Sequence, residues 1–263
     1  MAKKQKRSRK KGTKKKSGLL SNLILILAVC VFVFSGYQLY QIFSEYHEGK
    51  KEYEEIRELV IQEEPKKEPE EQKEPEVQPR FTVDFATLQQ MNPDTVGWIR
   101  FEEPSEISYP VVKGRDNEEY LTRTFEANDN KLGTLFVDKD NTGTFTDRNT
   151  IIYGHNMKNG TMFAKLLKFR EESFLKKHHV IILYTPKKTM YLKVISSYAV
   201  KAQDQMPITF ANEMQKKEYI TKIRRMSEPS IKLDDKKIDR IYTFVTCSYE
   251  RDDNRTYVHA VEE

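Results

Sequence analysis

Apolar positions along this chain fall into three regimes. Residues 19–40, LLSNLILILAVCVFVFSGYQLY, run for 22 positions without a formal charge. As a helix rising about 1.5 Å per residue the run spans about 33 Å, against about 30 Å of bilayer hydrocarbon. Residues 45–64 show helical spacing instead, with Tyr53, Ile56, Leu59 and Val60 on one stripe. From 63 to 79 the sequence EEPKKEPEEQKEPEVQP alternates proline with charge and has almost nothing to bury. That composition predicts an extended, semi-rigid spacer.

Beyond about residue 80 the pattern becomes globular, and the length is ample for one substantial core. Eight short runs rich in β-branched and aromatic residues, each bounded by turn formers, predict strands: 97–101, 108–114, 133–138, 150–154, 180–185, 189–200, 240–247 and 255–261. Helical patterns interrupt them at 84–91, 116–125, 161–176 and 211–226. Eight strands with sparse helical insertions predict a mainly β domain, either a closed, mostly antiparallel barrel or a sandwich. The organisation is then a basic tail (1–18), an apolar span (19–40), a helical and Pro/Glu-rich spacer (41–80) and a globular domain (81–263).

Charge sharpens the picture at the N-terminus. The chain carries a net +5, yet ten Lys/Arg and no acid lie within residues 1–16, so the remainder is net negative at −5. The basic character belongs to the tail, which excludes the basic face a nucleic-acid-binding domain needs. Ten cations before the apolar run and none in the four residues after it predict a cytoplasmic N-terminus and an external globular domain. The run is longer than a signal-peptide core and no A-x-A site follows, which favours an uncleaved membrane anchor over a signal peptide.

Only two cysteines are present, so neither a disulfide scaffold nor a cysteine zinc ribbon is possible. Cys30 sits inside the apolar run. Cys247 is then the one thiol outside the membrane, where unpaired thiols are uncommon. A buried inert side chain and an intermolecular disulfide are two readings of it; a nucleophile is the third. IYTFVTC ends a strand, SYERDDN reverses the chain and RTYVHAV resumes it, so a hairpin could set Arg255 beside Cys247. A neighbouring cation favours the thiolate and offers donors to a developing oxyanion. Arg251, inside the turn, is the weaker candidate.

An acyl-transferring cysteine also needs a proton shuttle. His47 is juxtamembrane, His178 and His179 follow two lysines at a strand entrance, and His259 lies inside the last strand as a structural histidine would. His155 leaves the run TIIYG through Gly154 into a polar loop, where catalytic groups concentrate. No HExxH, facial-triad or calcium-loop spacing is present, and no cofactor or metal is expected.

These residues resemble a known family. Thr243-Phe244-Val245-Thr246-Cys247 resembles the TLxTC signature of sortases, the membrane-anchored transpeptidases of Gram-positive bacteria. Tyr153-Gly154-His155-Asn156-Met157, continuing through Gly160-Thr161-Met162-Phe163, is similar to the histidine segment of class B sortases, and Arg255 opens the last strand as the family's essential arginine does. Phe244 stands where leucine is usual and Val245 where many class B members carry serine. The resemblance covers about residues 81–263 together with the anchor. It implies an eight-stranded sortase-type β-barrel with an N-terminal helical extension, and residues 211–226 as one wall of a substrate groove. It also implies Cys247 as nucleophile, His155 as acid–base and Arg255 as oxyanion donor. The expected partners are secreted proteins bearing a sorting signal and a peptidoglycan amine, with nothing demanding more than a monomer. An L,D-transpeptidase would show a His-Gly-Cys-Arg type run, and a papain-like enzyme would place cysteine before histidine; the chain shows neither. A non-enzymatic surface-display module remains the alternative of a different class.

Overall fold

The computed structural model describes residues 16–63, 81–101, 107–202, 206–229, 231, 238–248 and 253–262. The tail up to residue 15, the stretch 64–80 and Arg251 lie outside them. The chain divides into two compact units, 1–45 and 46–263. In the first, helix α1 (Lys16–Val60) exposes every described side chain from Leu20 to Phe43 and is long and apolar enough, by length and composition, to cross a membrane.

In the second unit the last turns of α1 bury Tyr53, Ile56 and Val60 at 1–2% exposure. Leu59 does not join them. It is 62% exposed, because one residue turns the helix by about 100° and carries Leu59 off the stripe that Val60 completes. Two short strands then escape the sequence pattern: β1 (Ile61–Glu63) pairs antiparallel with β2 (Phe81–Val83), Glu63 opposite Phe81. The chain therefore enters and leaves 64–80 at neighbouring strands about 5 Å apart. The expected Pro/Glu-rich spacer falls on 64–80, outside the described residues.

Helix α2 (Phe85–Met91) starts where expected, Asp84 capping it by accepting from the Thr87 N–H at 3.1 Å. All eight expected strands are present: β3 (Thr95–Phe101), β4 (Ser108–Val112), β5 (Leu135–Val137), β6 (Asn149–Tyr153), β7 (Val180–Tyr184), β8 (Thr189–Lys201), β9 (Ile241–Ser248) and β10 (Asn254–Glu262). They close a barrel in the order β10-β8-β7-β3-β4-β5-β6-β9, antiparallel except at β4–β5 and β6–β9. The barrel, not the sandwich, is the architecture.

The helical expectations are met unevenly. Residues 116–125 hold only a 3-10 turn, Glu119–Leu121, because the chain reverses directly afterwards: Thr124 N–H donates to Asn128 O, and Ala127 takes φ 70°. Residues 161–176 split into a 3-10 helix, Phe163–Arg170, and α3 (Glu172–Lys177). Helix α4 (Glu213–Met226) is capped by Asn212, which accepts from the Gln215 N–H.

Strand alternation sorts side chains into two cores. Tyr242, Phe244, Val258 and Ala260 join the main core with Trp98, Leu135 and Phe163. Ile241, Val245, Tyr257 and Val261 face the other way, into a second cluster with Ile220 and Ile223 of α4. Helix α4 thus covers the outer face of the sheet built by β6, β9, β10 and β8, and that face carries the candidate chemistry.

Candidate functional site

Strand β9 runs between β10 and β6, the strands that carry or lead to the candidate residues Arg255 and His155. On one side the antiparallel register sets Cys247 directly opposite Arg255. On the other, β6 lies parallel, Tyr153 opposite Val245, and Gly154 N–H donates to Val245 O at 3.1 Å. Two residues further along each chain come His155 and Cys247. The expected hairpin is present, and the parallel β6–β9 pairing adds what the local sequence could not show. Tyr257 belongs to the cluster beneath α4, so the period of two assigns position 255 to that same outer face.

Arg255 is one-third exposed, one residue from where β10 begins beside its connection to β9. Its Nη1 donates to Asn254 O at 3.1 Å and lies 3.5 Å from the Asp253 carboxylate. Asp253 takes φ 61°, a left-handed conformation that Asp tolerates better than bulkier residues and that suits the turn. These two contacts engage a single nitrogen of a guanidinium with five N–H donors.

His155 is half-buried and set by its backbone as well as its ring. A Cβ at Gly154 would meet Leu135 at 2.3 Å and Phe163 at 2.7 Å, so only glycine lets the chain pass there. His155 O accepts from Phe163 N–H at 2.8 Å, and Asn156 bridges to Met162, which closes the loop behind the histidine. The ring's Nε2 lies 2.6 Å from the carbonyl oxygen of Leu121, the last residue of the 3-10 turn. Just before it, Tyr153 donates its hydroxyl to the buried Asp138, which also accepts from Asn117. Burial first, and the Asp138 carboxylate second, push the Tyr153 phenol far above its usual range.

The remaining histidines lie elsewhere. His178 packs on Phe174, and His179 precedes β7, two strands from β10. His47 lies on α1. His259 is fully buried with both ring nitrogens bonded, to Thr243 and to Tyr198. Phe244 points into the main core against Phe163, centroids 6.1 Å apart, so the larger ring at this position is accommodated by packing. Val245 is 3% exposed. Among the described residues no three His, Cys, Asp or Glu side chains converge as a metal site. A cavity of about 350 Å³ lies at the C-terminal end of α4, lined by Ile195, Arg224 and Glu228 among others, and includes none of these residues.

The sequence reading did not find the Leu121 carbonyl, and no local signal could have revealed it, since every residue carries a carbonyl. Asp138 was equally hidden: Asp138 lies 15 positions from Tyr153 with nothing in the intervening pattern to join them.

Comparison with known proteins shows which family the chain is similar to. A sortase domain model matches residues 102–263. The chain is 30% identical over 226 residues to sortase B of Staphylococcus aureus, covering 86% of this chain and 88% of that one. It is 34% identical to sortase B of Listeria monocytogenes over 63% of this chain and 67% of the other. Sortase B of Bacillus anthracis, solved in complex with AAEK1, superposes with a TM-score of 0.68 at 29% identity, over 84% of this chain and 99% of that structure.

Proposed function

This chain belongs to the sortase family, as a class B cysteine transpeptidase, and from that premise we propose that Cys247, His155 and Arg255 carry the reaction. Cys247 attacks the threonine carbonyl of a sorting signal on a secreted protein, and the chain after threonine departs as an amine. The resulting thioester is taken over by a peptidoglycan amine, which anchors the protein to the wall. His155 protonates the departing amine and then deprotonates the incoming one. Arg255 donates to the oxyanion of each tetrahedral intermediate; a fixed cation there is worth several kcal/mol of barrier, about 2.7–4 for one donor in comparable sites. Helix α4 walls the peptide groove.

The observation that carries this reading is the register: Cys247 directly opposite Arg255, and two residues past the β6–β9 pair that leads to His155. The N-terminal span fits the same task. With ten cations before it, α1 anchors the protein with its N-terminus in the cytoplasm and the barrel outside, where exported substrates and wall precursors meet.

The test uses the full chain in detergent micelles and fluorogenic peptides with NPQTN-, SPKTG- and LPxTG-type cores. Cleavage after threonine by wild type and its loss in Cys247→Ala are expected, with the preferred core naming the signal class. Cleavage that survives in Cys247→Ala would sink the mechanism. Failure of every peptide, with a folded protein and a thiol inert to alkylation, would favour a display module.

A further inference from the structure

Leu121 O is the polar partner of the His155 ring among the described residues, at 2.6 Å from Nε2. A carbonyl can only accept, so Nε2 bears the hydrogen. A neutral imidazole has one N–H, and Nδ1 is therefore left with its lone pair. The Nε2–H bond to the carbonyl persists when Nδ1 takes up and passes on a proton.

The turn that carries this carbonyl is held from several sides. Tyr120 donates its hydroxyl to Asp94 at 2.7 Å, and Glu119 pairs with Arg123 at 2.8 Å. Thr134 N–H donates to Tyr120 O at 3.0 Å. Gly133 takes φ +60°, and a Cβ there would lie 2.5 Å from Tyr120 O and 2.7 Å from Leu121 O. The carbonyl can sit where it does only because residue 133 has no side chain. Gly133 O in turn accepts from the hydroxyl of Tyr53, so α1 reaches this support through one hydrogen bond.

We infer that the Leu121 carbonyl locks His155 as its Nε2–H tautomer, making Nδ1 the nitrogen that exchanges the proton and the 119–121 turn with Gly133 its positioning element. The inference rests on the reading of His155 as acid–base. In the first half-reaction the Cys247 thiol proton passes to Nδ1 and on to the departing amine nitrogen, as the C–S bond forms and the C–N bond breaks. In the second, the acceptor amine's proton passes through Nδ1 to the released thiolate, as C–N forms and C–S breaks. Leu121 supplies the third member of a relay through its backbone, where a triad uses a carboxylate.

Histidine-selective ¹⁵N NMR of the full chain in micelles, with His155 assigned through His155→Gln, reads the tautomer directly. The expected spectrum has a pyrrole-type Nε2 and a pyridine-type Nδ1. The reverse assignment, or the averaged signals of a freely exchanging ring, overturns the inference. Gly133→Ala, which pushes on the carbonyl, is expected to average the two signals and to lower kcat about tenfold to a hundredfold, with KM changed less than about twofold. A folded Gly133→Ala with wild-type ring signals and wild-type kcat also overturns it. Should that variant fail to fold, Tyr120→Phe frees the same turn and is judged by the same readouts. A locked Nε2–H tautomer in a wild-type protein that cleaves no peptide would count against the transpeptidase mechanism and not against the lock.

Discussion

His155 and His259 flank the same strand, one on β6's exit and one on β10, and differ in every respect that matters to chemistry. His259 is fully buried between ring neighbours, Tyr198 and Tyr257. Thr243 spends its one proton on Asn149 Oδ1 at 2.7 Å, so it must accept from His259 Nδ1–H, and Nε2 then accepts from the Tyr198 hydroxyl. Asn149 passes the chain on by donating to Pro207 O, just ahead of α4. Every proton is placed and both nitrogens are occupied. Burial pushes the His259 pKa down to about 3, which keeps the ring neutral. His155 has one nitrogen held by a carbonyl and the other left to work. The contrast teaches that a structural histidine, His259, closes both nitrogens in a buried network, whereas the histidine proposed as acid–base has one nitrogen bonded to a carbonyl.

Replacement separates the two most sharply. His155→Gln is expected to lower kcat by about 10²–10⁴ while leaving Tm within about 2 °C. His259→Leu is expected to do the opposite: it strands the Tyr198 hydroxyl, takes from Thr243 the donor it accepts from, and costs about 3 kcal/mol of stability, with the folded fraction retaining its kcat. Thermal melts beside peptide kinetics decide it, and an unfolded His155→Gln or an inactive, stable His259→Leu would break the comparison.

Acid gives a second, smaller contrast. The His259 pKa is lower folded than unfolded, where it lies near 6.5, so the unfolded state binds the extra proton. Stability is complete above about pH 6.5 and falls as pH drops from there towards about 3. At pH 5 the loss is about 2 kcal/mol relative to pH 7.5. Urea titrations at the two pH values measure it, and His259→Leu should flatten that slope; an unchanged slope would mean other groups govern acid sensitivity.

The smallest contrast lies on α1. Ile56→Ala, at a side chain 1% exposed, is expected to cost about 2–5 kcal/mol, whereas Leu59→Ala, three positions on, should stay within about 0.5. Equal losses in denaturant melts would mean the Leu59 face is covered in solution.

Much of this molecule was legible before any contact was known. The alternation in 241–247 and 255–261 predicted two strands joined by a turn, and they pair with Cys247 opposite Arg255. His155 stood out because Gly154 ends a β-rich run. The stripe on α1 was legible except at Leu59, where adjacency to Val60 in sequence was mistaken for sharing its face. The short ladder of Ile61–Glu63 with Phe81–Val83 escaped notice because three residues carry too little pattern to signal a strand.

By itself the sequence determined the eight strands, the long apolar N-terminal segment with its basic flank, and the candidate thiol, imidazole and guanidinium, because side-chain period and residue type are local properties. Only the tertiary structure decided that a parallel β6–β9 ladder sets Tyr153 opposite Val245, two residues before His155 and Cys247, that α4 and not the barrel interior backs the outer face of those strands, and that Leu121, 34 positions from His155, offers it a carbonyl. Strand order and register depend on closing long loops around a shared core, and a backbone oxygen is the same atom in every residue; neither leaves a trace in the local pattern.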